Sequence, residues 1–367
     1  DGTERYIGLE HIIPYELQLK GWGSSDEVAS NKTRFLAGDI LYGKLRPYFR
    51  KCVRPSFSGV CSTDIWAISV IDGAPILPDF LHWVLADESF SEYANSAETG
   101  TRMPRANWGW VGAYEVGLPP LEEQARIARV LNAIDERVSG CLKLASAVDE
   151  LFHAEWESRF ATLQEDSTTT LRDFCTAQYG LTASGQTENV GPKLLRVTDI
   201  NKSNWIEWRG VPHCQVSDTD KAKYGLAVGD LVVARMADPG KSARVDVPTE
   251  AVFASYLIRI KPQLSDSDFF TFGFLKSRHF TEYAAACASG SVQSNMNAQT
   301  ILNAPCSLPP VAELQQFTVW ASPVRQVLRQ ALILRQSLIE MRDFLLPRLL
   351  RGELSVEDVE MTVEAVR

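Results

Sequence analysis

The sequence predicts a mixed α+β chain: two similar globular domains separated by two long helices that pair as an antiparallel coiled coil. Three observations carry this. The chain has 367 residues, too many for one ordinary compact core. Four short blocks recur in order at nearly one offset. The last of them is followed, both times, by a long stretch with the three-and-four apolar spacing of a coiled-coil seam.

The repeat comes first. Phe90-Ser91-Glu92-Tyr93-Ala94 returns as Phe280-Thr281-Glu282-Tyr283-Ala284, Gly100-Thr101 as Gly290-Ser291, and Leu118-Pro119-Pro120 as Leu308-Pro309-Pro310. Leu36-Ala37-Gly38-Asp39-Ile40-Leu41 matches Ala227-Val228-Gly229-Asp230-Leu231-Val232, and Lys44 then matches Arg235. Self-similarity of this kind marks a duplicated unit. Each copy reads as strands and short helices, a helical Phe-x-Glu-Tyr block, a glycine-centred loop, and a Leu-Pro-Pro entry into a long helix. The expected divisions are a first domain at 1–118, a first long helix at 119–164, a second domain at 165–308, a second long helix at 309–352 and an acidic tail at 353–367. The second copy opens near Leu171-Arg172-Asp173-Phe174, so the first is expected to lack an opening segment of about 19 residues.

In the first helix the apolar positions are Ile127, Leu131, Ile134, Val138, Cys141, Ala145, Val148, Phe152, Trp156 and Phe160. In the second they are Phe317, Trp320, Val324, Val327, Ala331, Leu334, Leu338, Met341 and Leu345. A helix over 121–163 would span roughly 60 Å, more than one domain buries, so the helices are each other's natural partners. Residues 121–163 are net acidic. Residues 311–351 are net basic through Arg325, Arg329, Arg335, Arg342, Arg348 and Arg351, which favours the pairing across an apolar seam. Pro323 is expected to kink or restart the second helix, Gly352 to stop it, and the tail beyond to be loose.

Composition narrows the function. The formal charge is -9 and no whole domain is basic, so any nucleic-acid contact must come from local clusters or be shared with a basic partner. One such cluster is Lys44, Arg46, Arg50, Lys51 and Arg54, interleaved with Tyr42, Tyr48 and Phe49 and free of acids, the arrangement that neutralises phosphates. Arg235, Lys241 and Arg244 form the weaker counterpart. The loops after the Phe-x-Glu-Tyr blocks add Thr101, Arg102 and Arg105 in one copy and Ser291, Gln293, Ser294 and Asn295 in the other. Hydroxyls, amides and guanidinium groups suit phosphates and base edges.

Signs of catalysis are few. There is no phosphate-binding Gly-rich loop, no Asp/Asn-Pro-Pro-aromatic motif, and no metal spacing among His11, His82, His153, His213 and His279. No catalytic residue, cofactor or metal is therefore expected in this chain. Seven scattered cysteines without a Cys-x-x-Cys suggest a reducing cytoplasm. No stretch approaches the length of a membrane span. A coiled-coil scaffold that binds only protein is the alternative reading.

The residues also resemble a known family. Leu118-Pro119-Pro120-Leu121-Glu122-Glu123-Gln124-Ala125-Arg126-Ile127-Ala128, Gly38-Asp39-Ile40-Leu41-Tyr42-Gly43-Lys44-Leu45-Arg46 and Phe344-Leu345-Leu346-Pro347-Arg348-Leu349-Leu350-Arg351-Gly352-Glu353-Leu354 are similar to segments of specificity subunits of type I restriction–modification systems. The resemblance implies two target-recognition domains reading a bipartite, asymmetric double-stranded DNA site. It implies that the helices, through Ile127, Leu131, Ile134, Val138, Leu334, Leu338, Met341 and Leu345, bind two methyltransferase subunits carrying S-adenosylmethionine, and that restriction subunits join them. Pro310-Val311-Ala312-Glu313-Leu314-Gln315-Gln316 departs from the first helix's signature.

Overall fold

The computed structural model describes residues 4–96, 104–165, 167–201, 203–289 and 295–359. The chain divides into two compact units, Asp1–Gly140 with Arg335–Arg367, and Cys141–Leu334. The fold is the mixed helix-and-sheet arrangement the sequence predicts. The long helices run Leu121–Phe160 and Val311–Leu350, and each contributes one part to each unit. No described helix is long and apolar enough to cross a membrane.

In unit 1, Ile40–Gly43 lies between Cys52–Val53 and Ile65–Ile68, both antiparallel to it. A second sheet joins Arg5–Ile7, Gly23–Ser24, Lys32–Phe35 and Gly59–Ser62. Helices Pro78–Ala86 and Glu88–Ser96 cover the first sheet, with Phe80, Trp83 and Phe90 in the core. In unit 2, Leu231–Ala234 lies between Ser242–Arg244 and Leu257–Pro262 in the same way, and Cys175–Tyr179 adds a fourth strand along Leu257–Pro262. Among the described strands, unit 1 has no counterpart of that fourth one.

The turn before the central strand shows why the repeat kept Gly-Asp. Gly38 and Gly229 sit at φ 90° and 101°, where a side chain is strained. Asp39 Oδ2 accepts from Leu36 N at 2.8 Å, and Asp230 Oδ2 from Ala227 N at 3.0 Å. One aspartate in each copy thus closes its own turn.

The long helices pack antiparallel within each unit. In unit 1, Ile127 and Leu131 share a core with Leu345, Leu346 and Leu349, while Asp135 meets Arg342. In unit 2, Ala145 packs with Leu328, Ala331 and Leu332, Asp149 meets Arg325, and the rings of Phe160 and Phe317 lie 5.1 Å apart. The first helix uses the apolar positions the sequence indicates, with Ile134 and Val148 half-buried at its margin.

The second helix corrects three expectations. After Val324 its buried stripe keeps the expected Ala331, Leu338 and Leu345 but widens toward the following position in each turn. Val327, Leu334 and Met341 are 40%, 53% and 46% exposed, and Leu328, Leu332, Ile339 and Leu346 are buried in their place. The seam also takes in Arg325, Arg335 and Arg342, exposed by 1%, 4% and 0%. The positive charge therefore lies partly inside the seam, paired with acids, rather than flanking it. The helix runs unbroken through Pro323, and Val319, whose carbonyl loses its donor there, is exposed to solvent. Gly352 ends it in the left-handed region as expected, with Glu353 N donating to Arg348 O at 2.8 Å. The first part of the tail is docked: Val356 and Val359 are buried in the unit 1 core, and Arg126 meets Glu357. Its remainder lies outside the described residues.

Burial raises the Asp135 pKa to about 6, against the pull of Arg342 and the Gln18 side-chain amide. A carboxyl whose folded pKa lies above its unfolded value stabilises the fold when protonated. Its contribution is present at pH 4 and declines as pH rises through about 6. Relative to Asp135→Asn, the wild-type chain should lose about 1–3 kcal/mol of stability between pH 4.5 and 7. Urea titrations of both proteins across this range measure it, and parallel pH profiles would reject the assignment.

Candidate nucleic-acid interface

The candidate surface is built at the end of the central strand in each unit. In unit 1 the strand runs on into Lys44-Leu45-Arg46, which pairs antiparallel with Pro104–Ala106. Arg46 N donates to Pro104 O and Ala106 N to Lys44 O, both at 2.8 Å, and Leu45 bridges Arg105. Lys44 N donates to Asp64 O at 2.9 Å. Unit 2 repeats this. Met296 N donates to Arg235 O at 2.8 Å, and Arg235 N to Tyr256 O at 3.0 Å. A basic residue thus leaves the same strand end in both copies, beside the segment that follows the glycine-centred loop.

The guanidinium groups here have unmet capacity. Among the described residues, Arg46 Nε and Arg235 Nε are buried without a hydrogen-bond acceptor, as are Arg244 Nε, Arg259 Nε and Arg329 Nε. A buried donor of this kind can take an acceptor from outside, such as water or a phosphate oxygen. Arg46 holds a left-handed backbone, φ 53°, that turns the chain into Pro47–Phe49. The Arg235 guanidinium lies 5.2 Å from the Tyr179 ring centre. Tyr48 is exposed, Lys44 and Lys241 are half-buried, and Arg105 is exposed and paired with Asp64 at 3.3 Å. Asn295 is exposed. Thr101, Arg102, Ser291, Gln293 and Ser294 lie outside the described residues.

Four cations from the sequence reading are committed inside the fold. Arg50 is buried, donating through Nε and Nη2 to Ala86 O at 3.3 and 2.9 Å. Lys51 donates to Leu9 O, and burial pushes its pKa down. Arg54 donates to Gly38 O at 2.8 Å and pairs with Asp79. Arg244 stands in the matching place in unit 2, buried, between Asp246 at 2.7 Å and Asp268 at 3.8 Å. Both arginines reach the first turn of the helix that follows the sheet, at Asp79 and Asp268, and Arg54 ties it to the Gly-Asp turn as well. Their recurrence is explained by packing, and the charge run alone did not separate the two kinds of cation.

The sequence reading also passed over exposed aromatics beside the same segment. Asn107 caps the short helix Trp108–Val111, which leaves Trp108 and Trp110 largely exposed. Trp108 stands edge-on to Trp66 at 5.3 Å. The signal was Asn107-Trp108-Gly109-Trp110, two tryptophans next to a loop; unit 2 has Ala298 and Thr300 there.

No family model matches the chain. A stretch of 127 residues is 37% identical to the specificity subunit of type I restriction enzyme EcoDI from Escherichia coli, covering 34% of this chain and 28% of that protein. Over 321 residues the chain is 22% identical to the specificity subunit of type I restriction enzyme MjaIX from Methanocaldococcus jannaschii, covering 79% of this chain and 72% of that one. The chain is thus similar in sequence to type I specificity subunits over these stretches. The match to the EcoDI subunit spans less than a third of that protein's length. The crystal structure of the S subunit of a type I restriction–modification system from M. genitalium shares the fold, with a TM-score of 0.53 at 14% identity over 95% of this chain and 89% of that one. Among the described residues, no group of three His, Cys, Asp or Glu is placed to hold a metal ion.

Proposed function

We propose that this chain is the DNA-reading, non-catalytic subunit of a type I restriction–modification complex. Each globular portion contacts one half of a bipartite, asymmetric double-stranded site, and the long helices carry two methyltransferase subunits that hold S-adenosylmethionine; restriction subunits join the complex. The observation that carries the reading is the repeated strand end, which sets a basic residue, Lys44 in one unit and Arg235 in the other, beside the segment that follows the glycine-centred loop. Likeness in sequence to the type I specificity subunits supports it. The partner surface is supported by Val327, Leu334 and Met341, a row of exposed apolar side chains at heptad spacing on the second helix. Isolated, well-folded chains seldom leave such a row uncovered. The buried positions Ile127, Leu131, Val138, Leu338 and Leu345 hold the helices in place instead.

Arg46→Ala should weaken binding to one half-site and Arg235→Ala to the other, each by roughly tenfold to a hundredfold where a base is read. Lys44→Ala should weaken all sequences alike and lower the slope of log affinity against log salt by about 1. Fluorescence anisotropy with the assembled complex, over a salt series and with each half-site scrambled in turn, measures both. A wild-type affinity indifferent to salt and to sequence would leave a protein-binding scaffold instead.

A further inference from the structure

Two seam arginines make the same three-way joint in different units. Arg325 donates from Nη1 to Asp149 of the first helix at 2.6 Å. From Nε, at 3.3 Å, and from Nη2 it donates to Asp246, which follows strand Ser242–Arg244 of the unit 2 sheet. Arg342 donates from Nη1 to Asp135 of the first helix at 3.0 Å. It also donates to two backbone carbonyls of unit 1, Glu16 O at 2.8 Å and Tyr15 O at 3.0 Å. Tyr15 and Leu17, in the same loop, hold left-handed backbones at φ 65° and 62°. In each joint one guanidinium on the second helix binds a carboxylate of the first helix and an acceptor of the globular portion.

Holding the helices together does not need this. A buried charge pair is usually no more stabilising than apolar packing of the same volume, and its best-attested use is to fix one arrangement among several. The planar fork of arginine transmits orientation, because its donors leave in fixed directions. We propose that Arg325 and Arg342 are positioning residues that fix the angle at which each globular portion leaves the helix pair, and so set the spacer length the protein accepts between half-sites. The inference rests on the DNA-reading function proposed above.

The test uses the complete system in cells, with methylated sites mapped across the genome. Arg325→Lys and Arg342→Lys keep the charge in the seam and remove the fork. Each variant should keep both half-site sequences while methylation at sites whose spacer is one base pair longer or shorter rises roughly tenfold, an ordinary size for a coupling between linked equilibria. A purely structural role would lower methylation at all sites in proportion, and that result overturns the inference, as does an unchanged spacer in a variant of normal abundance. A wild-type chain that yields no bipartite methylation would instead reject the function itself.

Discussion

Gly273→Ala should destabilise unit 2 by about 3 kcal/mol or more, a large effect for one methyl group. Gly273 lies in helix Asp268–Lys276, where that helix crosses the first long helix at Trp156. A Cβ there would lie 2.6 Å from the indole nitrogen and closer still to the ring carbons. The indole cannot yield easily. Its Nε1 donates to Phe270 O at 2.9 Å, and Phe160, Phe270 and Phe274 surround it. Trp156→Ala alone should cost about 3–5 kcal/mol through the cavity it leaves. The two substitutions share one volume, so the double variant should be less destabilised than their sum by about 2 kcal/mol or more. Urea unfolding of the four proteins gives the coupling. Additive costs would show that the alanine is refused by something other than the indole.

Arg325→Met should cost about 3–5 kcal/mol at neutral pH, because it removes one partner of a buried network and leaves acids behind. Asp149 and Asp246 are both buried, and Asp149 Oδ2 already has no hydrogen-bond partner among the described residues. Arg244 still pairs with Asp246, so most of the loss falls on Asp149. His153 Nε2 stands 3.6 Å from Asp149 Oδ2, but burial holds the imidazole pKa down to about 4, so it does not replace the lost charge at neutral pH. Urea unfolding of both proteins at neutral pH measures this. A loss below about 1 kcal/mol would mean that the pairing of Arg325 with these acids adds little to stability.

How far the sequence carried the argument depended on range. The Gly-Asp turns and the Leu-Pro-Pro helix entries are set by residues close in sequence, and their chemistry was legible. The first helix was legible because its buried face is mostly apolar, with Gln124 and Asp149 the buried polar exceptions. The second was not, because spacing of apolar residues cannot register Arg335 and Arg342 as buried when their partners, Glu16 and Asp135, are far away in the chain. The stripe was consequently drawn partly off the buried face, through Leu334 and Met341. The basic cluster failed in the same way: Arg46 and Arg54 look alike in sequence, and only the fold shows that one has a donor unanswered while the other bridges Gly38 and Asp79.

The seam arginines also decide what the helices refuse. The repeat offset of 190 that carries Leu118-Pro119-Pro120 onto Leu308-Pro309-Pro310 carries Asp135 onto Arg325. In the register of unit 1, Asp135 faces Arg342. Two second helices laid against each other in that register would set Arg325 against Arg342, two buried cations with no acid between them. Two first helices would bury Asp135 and Asp149 without any guanidinium. The copies thus remain alike in shape while their seams have become a lock and its key, and neither can stand in for the other.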